Sequence, residues 1–177
     1  MPSLLVSGGS WRQDAEWWLR TSVQKELRLQ VHTDEVEDMA NWLERECPKS
    51  LQSFELSTSE FTVNLCAALQ GMRLRRLRIW QSEITEDAGE LLGAVLVNNN
   101  YLREFELVQN SIDELAAEYI AEGLARTDYL RKFFVSANND VPLAGLRVLG
   151  EVAHYNAKLE IQSEGQLKVL QSMTAEP

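Results

Sequence analysis

A repeated pattern of apolar residues limits the possible folds of this chain more than any other feature of its sequence. The segments that begin at Leu74 and Leu102, 28 residues apart, share the pattern Leu-x-x-(Leu/Phe)-x-(Ile/Leu)-x-x-(Asn/Ser)-x-Ile. A looser third copy begins 28 residues later, at Leu130. A fixed period of this length is typical of repeat proteins, whose units stack because no single unit can bury its own apolar face.

The second half of each repeat has the spacing of a helix. Apolar side chains recur every four residues, which places them on one face of an amphipathic helix. They are Ala88, Leu92 and Leu96 in one repeat, Ala116, Ile120 and Leu124 in the next, and Ala144, Val148 and Val152 in the third. The first half alternates apolar and other residues, as a strand does. Weaker copies on both sides bring the predicted parallel strands to residues 27–31, 54–56, 77–79, 105–107 and 133–135.

The repeats predict a single domain over residues 1–177, with an N-terminal cap at 1–23, repeats at 24–162 and a C-terminal cap or tail at 163–177. Ser10-Trp-Arg-Gln13 matches a capping box, and the helix that follows would shield the first repeat. Its apolar face comprises Trp11, Ala15, Trp18 and Leu19. Attachment of this segment to a membrane surface is the alternative, which Asp14 and Glu16 disfavour because they repel anionic lipid.

These repeats resemble the ribonuclease-inhibitor-like leucine-rich repeats, whose units of similar length pair one strand with one full helix. The unit from Leu51 to Leu74 is shorter, at 23 residues, and the unit from Leu130 carries Pro142. The resemblance implies an α/β leucine-rich-repeat solenoid of about five repeats, with parallel strands on its concave face and helices on its convex face. It also implies protein binding, and it admits a regulatory GTPase activator as the alternative.

The charge of the chain bears on its partners and its location. With 27 acidic and 17 basic residues, the formal net charge is -10 at pH 7, which disfavours nucleic-acid binding. The acidity fits either a basic partner or a solvated acidic surface. Cys47 and Cys66 belong to no metal-binding or disulfide motif, which favours an intracellular location, cytoplasmic by default. No window approaches the roughly 20 apolar residues of a membrane span, so no membrane insertion is expected.

The sequence lacks the sets of residues that catalysis requires. Only two histidines occur, His32 and His154, and neither stands in a nucleophile or metal motif. We therefore predict a non-catalytic protein with no cofactor and no metal site. A GTPase activator would present residues near the strand ends, such as Asn110, Asn138 or Asn139, but asparagine at such positions normally bonds the turn backbone.

Side chains between the buried strand positions should line up across successive strands, on the face away from the helices. One predicted row comprises Arg28, Glu55, Arg78, Glu106, Phe134 and Glu160, and a second comprises Arg76, Glu104 and Lys132. The charges alternate in sign over the first four residues of one row and along the whole of the other, which favours cross-strand pairing. The ions are therefore either a ladder that satisfies itself or a set that orients a partner.

A third row brings apolar side chains to the same face. Trp80 and Val108 are predicted neighbours, and Phe134 lies one strand farther on. Aromatic anchors among charged residues are typical of binding hot spots. The alternative is that these side chains pack on one another without a partner. We predict an adaptor or accessory subunit of a larger assembly that binds a protein through Trp80, Val108 and Phe134, oriented by Arg76, Arg78, Glu104 and Glu106.

Overall fold

The computed structural model describes residues 5–7, 11–21, 26–47, 49–135 and 141–163. The strands in these ranges are β1 Leu5–Ser7, β2 Glu26–Val31, β3 Ser53–Thr58, β4 Arg76–Trp80, β5 Glu83–Ile84, β6 Glu104–Val108, β7 Ser111–Ile112, β8 Lys132–Val135 and β9 Glu160–Ser163. The α-helices are α1 Trp11–Thr21, α2 Val36–Arg45, α3 Val63–Gly71, α4 Glu86–Asn98, α5 Glu114–Arg126 and α6 Leu143–Tyr155. A 3₁₀ helix spans Thr33–Glu35.

Seven of the strands form one parallel sheet. Its order is β1-β2-β3-β4-β6-β8-β9, so each strand pairs with the next long strand along the chain, and one α-helix lies between each pair in the sequence. β5 and β7 form a second, two-stranded parallel sheet. The prediction of an α/β fold with parallel strands at five positions is confirmed.

Alternating burial along the strands shows which face of the sheet the helices cover. In β4, Leu77 and Ile79 are fully buried, whereas Arg76 and Arg78 are only half-buried. We call the side of the sheet with Leu77 and Ile79 the helix face, and the opposite side, with Arg76, Arg78 and Trp80, the open face. Consecutive helices from α2 to α6 pack side by side, so that their apolar stripes and the helix face share one core.

The 28-residue period of the sequence becomes a structural register. Leu77 pairs with Phe105, and Phe105 pairs with Phe133. The rings of Phe105 and Phe133 stack with their centroids 5.9 Å apart. Equivalent core side chains therefore lie next to one another in successive repeats.

A buried asparagine ties two of the repeats together. The Asn110 side chain accepts a hydrogen bond from the Ser82 amide at 2.9 Å and donates to the Ile79 carbonyl at 3.0 Å. Both hydrogen bonds are buried, and a buried polar group without a partner is costly. The prediction that asparagine at this position bonds the turn backbone is confirmed for Asn110.

Glycines allow α4 and α5 to approach closely. A Cβ atom at Gly93 would lie 2.6 Å from the carbonyl oxygen of Tyr119, and one at Gly123 would lie 2.7 Å from the carbonyl oxygen of Gly93. These distances leave no room for a methyl group, so glycine is required for the close approach of the two backbones. The apolar pattern did not predict this contact.

The helix of the third repeat is displaced from its predicted position. α6 begins after Pro142, one residue later than the period from α5 predicts. A shift of one residue rotates the apolar face of a helix by about 100°. Leu146 and Leu149 are consequently buried. Of the predicted stripe, Val152 is buried as expected, whereas Ala144 and Val148 are only half-buried.

The predicted register of the last strand is also wrong. We expected Glu160 beside Phe134, but β9 pairs Gln162 with Phe134 and Glu160 with Lys132. The reason is that Ile161, opposite Phe133, occupies the core position of this strand. The open face therefore ends on an uncharged amide next to Phe134.

The N-terminal helix lies beside the first strands. α1 contacts β1 and β2, and Trp11 packs edge to face against Trp42 with ring centroids 5.6 Å apart. The apolar residues Trp11 and Ala15 are both buried, as expected. Several predictions fall outside the described part of the chain, namely those on Ser10, the side chains of Leu19 and His154, Asn138, Asn139 and the tail after residue 163.

Candidate functional site

The open face carries a continuous network of ion pairs from β2 to β6. The Glu55 carboxylate lies 3.4 Å from Arg28 Nε and 3.3 Å from Arg78 Nη1. The Glu106 carboxylate accepts hydrogen bonds from Arg76 Nε and Arg78 Nε, both at 2.7 Å. The side chains of Glu55 and Glu106 are only 7% and 13% exposed. The carboxylates therefore form the floor of the network, with the arginines above them.

Glu106 is the electrostatic centre of this network. Burial alone would raise the pKa of its carboxyl, but hydrogen bonds from Arg76 and then Arg78, together with their positive charges, hold the pKa below its usual value. The hydrogen bond to Glu106 in turn raises the pKa of Arg76. Glu106 therefore stays ionised at neutral pH and fixes the positions of two arginines.

The two predicted charge rows have different outcomes. The first pairs directly across neighbouring strands, as predicted, over Arg28, Glu55, Arg78 and Glu106. In the second row Lys132 approaches Glu104 at 3.9 Å, but Arg76 turns away from Glu104 to Glu106, two residues along the strand. Glu106 offers Arg76 both carboxylate oxygens, at 2.7 and 3.0 Å, and such bidentate pairing is strong. The central ions thus satisfy one another.

Trp80 is buried, contrary to the accessible anchor that we predicted. Only 7% of the residue is exposed. Arg28 reaches across β3 and places its guanidinium carbon 3.9 Å from the centroid of the indole ring, which is a cation–π contact. The indole Nε1 has no hydrogen-bond partner in the described chain. Trp80 therefore contributes to the packing of the open face and presents no free surface to a partner.

The accessible part of the open face lies on β6, β8 and β9. Val108 and Phe134 are half-buried, and Gln162 is exposed. A shallow cavity of about 340 Å³ opens beside Phe134. It is lined by Arg78, Glu104, Phe105, Glu106, Lys132, Phe133, Phe134 and Gln162.

The cavity brings together part of the predicted binding set. Four of the seven predicted residues line it, namely Arg78, Glu104, Glu106 and Phe134, whereas Arg76, Trp80 and Val108 do not. The sequence reasoning missed Gln162 as a neighbour of Phe134. The signal was present, because Gln162 follows Phe134 by one 28-residue period.

Neither the cysteine thiols nor Asn110 supplies a reactive group in the described structure. Burial raises the pKa of the Cys47 and Cys66 thiols to about 12, so both stay protonated at neutral pH and are poor nucleophiles. The side chain of Asn110 is used by neighbouring backbone groups, so the GTPase-activator alternative gains no support from it.

Over the described ranges, no three His, Cys, Asp or Glu side chains are placed to hold a metal ion. No helix in this part of the chain has the length and apolar character needed to cross a bilayer.

No protein-family model and no curated protein matches the sequence. The residues of the open face form a charged surface with one accessible aromatic side chain, Phe134.

Proposed function

We propose that the chain is a leucine-rich-repeat solenoid that binds a protein partner through its open face, as an adaptor or accessory subunit of an intracellular assembly. The recurrence of one strand and one helix in a fixed parallel register supports the solenoid. In a solenoid of this kind the open face is the concave surface, which such proteins commonly use for binding. The proposal includes no catalytic activity, no cofactor and no nucleic-acid ligand.

The cavity beside Phe134 is the observation that carries the proposal. Phe134 points away from the core and stays half-buried between the floor of ion pairs and Gln162. Binding hot spots combine an aromatic side chain with a polar surround that excludes water on association. Arg78 and Glu106 are already fixed by hydrogen bonds. Binding of a partner therefore costs little side-chain entropy at this wall of the cavity.

Truncation of Phe134 tests the proposal. The ligand in this test is the protein that co-purifies with the native chain. Phe134→Ala should weaken that complex by about 2 kcal/mol, the hot-spot range, measured by isothermal titration calorimetry. Leu143→Ala is the matched control, because Leu143 is an apolar side chain 56% exposed on α6. The control should leave the affinity within about twofold of the wild type. Unchanged affinity in Phe134→Ala, or an equal loss in both variants, would refute binding at this cavity.

A further inference from the structure

A second surface lies at the edge of the sheet where the strands begin. Each connection from a helix into the next strand there places a buried leucine between two outward residues. Three successive connections read Arg73-Leu-Arg75, Tyr101-Leu-Arg103 and Tyr129-Leu-Arg131. We call these six flanking residues the arginine-tyrosine edge. It is separate from the open face, and the proposed function does not use it.

The backbone places three arginines of this edge side by side. The Arg103 amide donates to the Arg75 carbonyl at 2.9 Å, and the Arg131 amide donates to the Arg103 carbonyl at 2.9 Å. Since neighbouring strands lie about 4.8 Å apart, the backbones of these three arginines fall within about 10 Å. Like charges on adjacent strands are destabilising, so the row of arginines carries a cost in folding.

The same arginines lack carboxylate partners in a chain that is rich in carboxylates. The sequence has 27 acidic residues and a net charge of -10. Nevertheless, none of Arg73, Arg75, Arg103 and Arg131 forms an ion pair with a described acidic residue. Arg28, Arg76 and Arg78 of the open face are all paired with carboxylates. The arginines of the edge differ from them, because their positive charges are not neutralised by an ion pair within the described chain.

Two of these guanidinium groups are held in one orientation. Arg103 Nη1 donates to the carbonyls three residues and one residue before it, at 3.1 and 3.0 Å. Arg131 Nη1 repeats both bonds at 2.9 and 2.8 Å. A guanidinium has five N–H donors, so most of them remain for a ligand. Such preorganisation lowers the entropy that binding would cost.

The tyrosines of the edge are stacked with arginines and remain exposed. Arg73 lies over the ring of Tyr101 at 5.4 Å from its centroid, and Arg103 lies over Tyr129 at 5.6 Å. Tyr101 and Tyr129 are nevertheless 46% and 39% exposed. Tyrosine and arginine are the residue types most enriched at binding hot spots, together with tryptophan.

A cavity of about 430 Å³ opens at one end of the edge, beside Arg73 and Tyr101. Its apolar lining includes Leu43, Leu51, Ala68 and Met72. Arg45 and Lys49 also line it, with Glu44, whose carboxylate lies 4.0 Å from Arg45. The cavity lining is therefore mixed, with apolar side chains beside the basic side chains of Arg45, Lys49 and Arg73.

We propose that the arginine-tyrosine edge binds an acidic segment of a partner protein, with one bulky apolar side chain of that segment in the cavity. Carboxylates match the fork of guanidinium donors, and arginine clusters are a recurring way to recognise acidic motifs. Three arginines within about 10 Å match three or four residues of an extended segment at about 3.3 Å per residue. Nucleic acid fits less well, because the net charge of -10 repels a long polyanion more than a short acidic segment, and the cavity lining includes apolar side chains.

The proposal is tested with a short synthetic peptide that has a central leucine flanked on both sides by runs of aspartate and glutamate. Its binding to the full chain is measured by fluorescence anisotropy. The double variant Arg73→Gln/Arg75→Gln should weaken binding at least about tenfold. Both side chains are exposed and make no hydrogen bond in the described chain, so the variant should fold, which its thermal unfolding midpoint verifies. Replacing the central leucine of the peptide by serine should weaken binding about tenfold as well, because the apolar contact is lost.

Two matched variants make the result specific. Arg20→Gln/Arg147→Gln removes the same charge from exposed helix positions and should leave peptide affinity within about twofold. Phe134→Ala should also leave it unchanged, so that this test and that of the open face succeed or fail independently. Absence of peptide binding to the wild type, or equal losses in both arginine double variants, would overturn the proposal. If a phosphoserine peptide or a single-stranded oligonucleotide bound about tenfold more tightly than the acidic peptide, the proposal would be overturned in favour of a phosphate ligand.

Discussion

Replacing Gly93 by alanine tests whether α4 and α5 pack as closely as the structure has them. The new Cβ atom would lie 2.6 Å from the Tyr119 carbonyl oxygen and 3.3 Å from the Tyr119 carbonyl carbon, so the helices would have to move apart. Overpacking costs about 1 to 3 kcal/mol. Alanine in place of glycine within a helix stabilises by about 0.5 to 1 kcal/mol. The difference is a net loss of about 0 to 2.5 kcal/mol in the free energy of unfolding, and because the clash is with backbone atoms we expect the upper part, about 1 to 2.5 kcal/mol.

Urea unfolding followed by circular dichroism measures this loss, with Gly71→Ala as the control. Nothing lies within 4 Å of a Cβ atom at Gly71, so alanine there should be neutral or stabilise by up to about 1 kcal/mol. For a chain of this length, a loss of about 1.5 kcal/mol corresponds to a fall in Tm of about 3 to 6 °C. If Gly93→Ala is as stable as Gly71→Ala, the two helix backbones are not in contact and the packing of these repeats is wrong.

Three further substitutions examine the core and the open face. Leu107→Ala should cost about 2 to 5 kcal/mol, because a fully buried leucine leaves a cavity, and a loss under about 0.5 kcal/mol by calorimetry would mean that the register is wrong. Trp80→Ala should cost about 3 kcal/mol because the indole is buried, and an unchanged Tm would show instead that the ring is free. Glu106→Gln should cost about 2 kcal/mol at pH 7, where the paired carboxylate is ionised. The folded pKa of Glu106 lies below 4.5, so the stability that the ionised carboxylate contributes is present above about pH 4.5 and is lost as the pH falls through the folded pKa. A stability difference between Glu106→Gln and wild type that persists in acid would contradict the ion-pair account.

The repeat period was sufficient to predict β2, β3, β4, β6 and β8 and their parallel register, but not the register of β9. Core positions such as Leu77, Phe105 and Phe133 recur at 28 residues, and a strand displaced by one residue would turn its core side chains to the other face of the sheet. The period failed where a local feature displaced the chain. α6 begins after Pro142, one residue later than the period predicts, and two of the three residues of the predicted stripe are only half-buried.

The candidate site was less predictable, because its accessibility depends on where long side chains go. Alternation correctly placed Trp80 on the open face, but a pattern of strand positions gives no information on the path of Arg28, which crosses β3 to cover the indole. The same limit applies to Arg76, which turns to Glu106 although Glu104 is its register partner. By contrast, the row Arg75, Arg103 and Arg131 follows the 28-residue period and was open to prediction from the sequence.

Site-specific photo-crosslinking tests most directly whether the open face is the surface that binds the partner. A photoreactive amino acid is placed at Gln162, on the rim of the cavity, or at Glu118, exposed on α5, and the native complex is irradiated. We expect a covalent adduct with the partner from position 162 and none from position 118. An adduct from position 118 without one from 162 would contradict the account and assign binding to the helices.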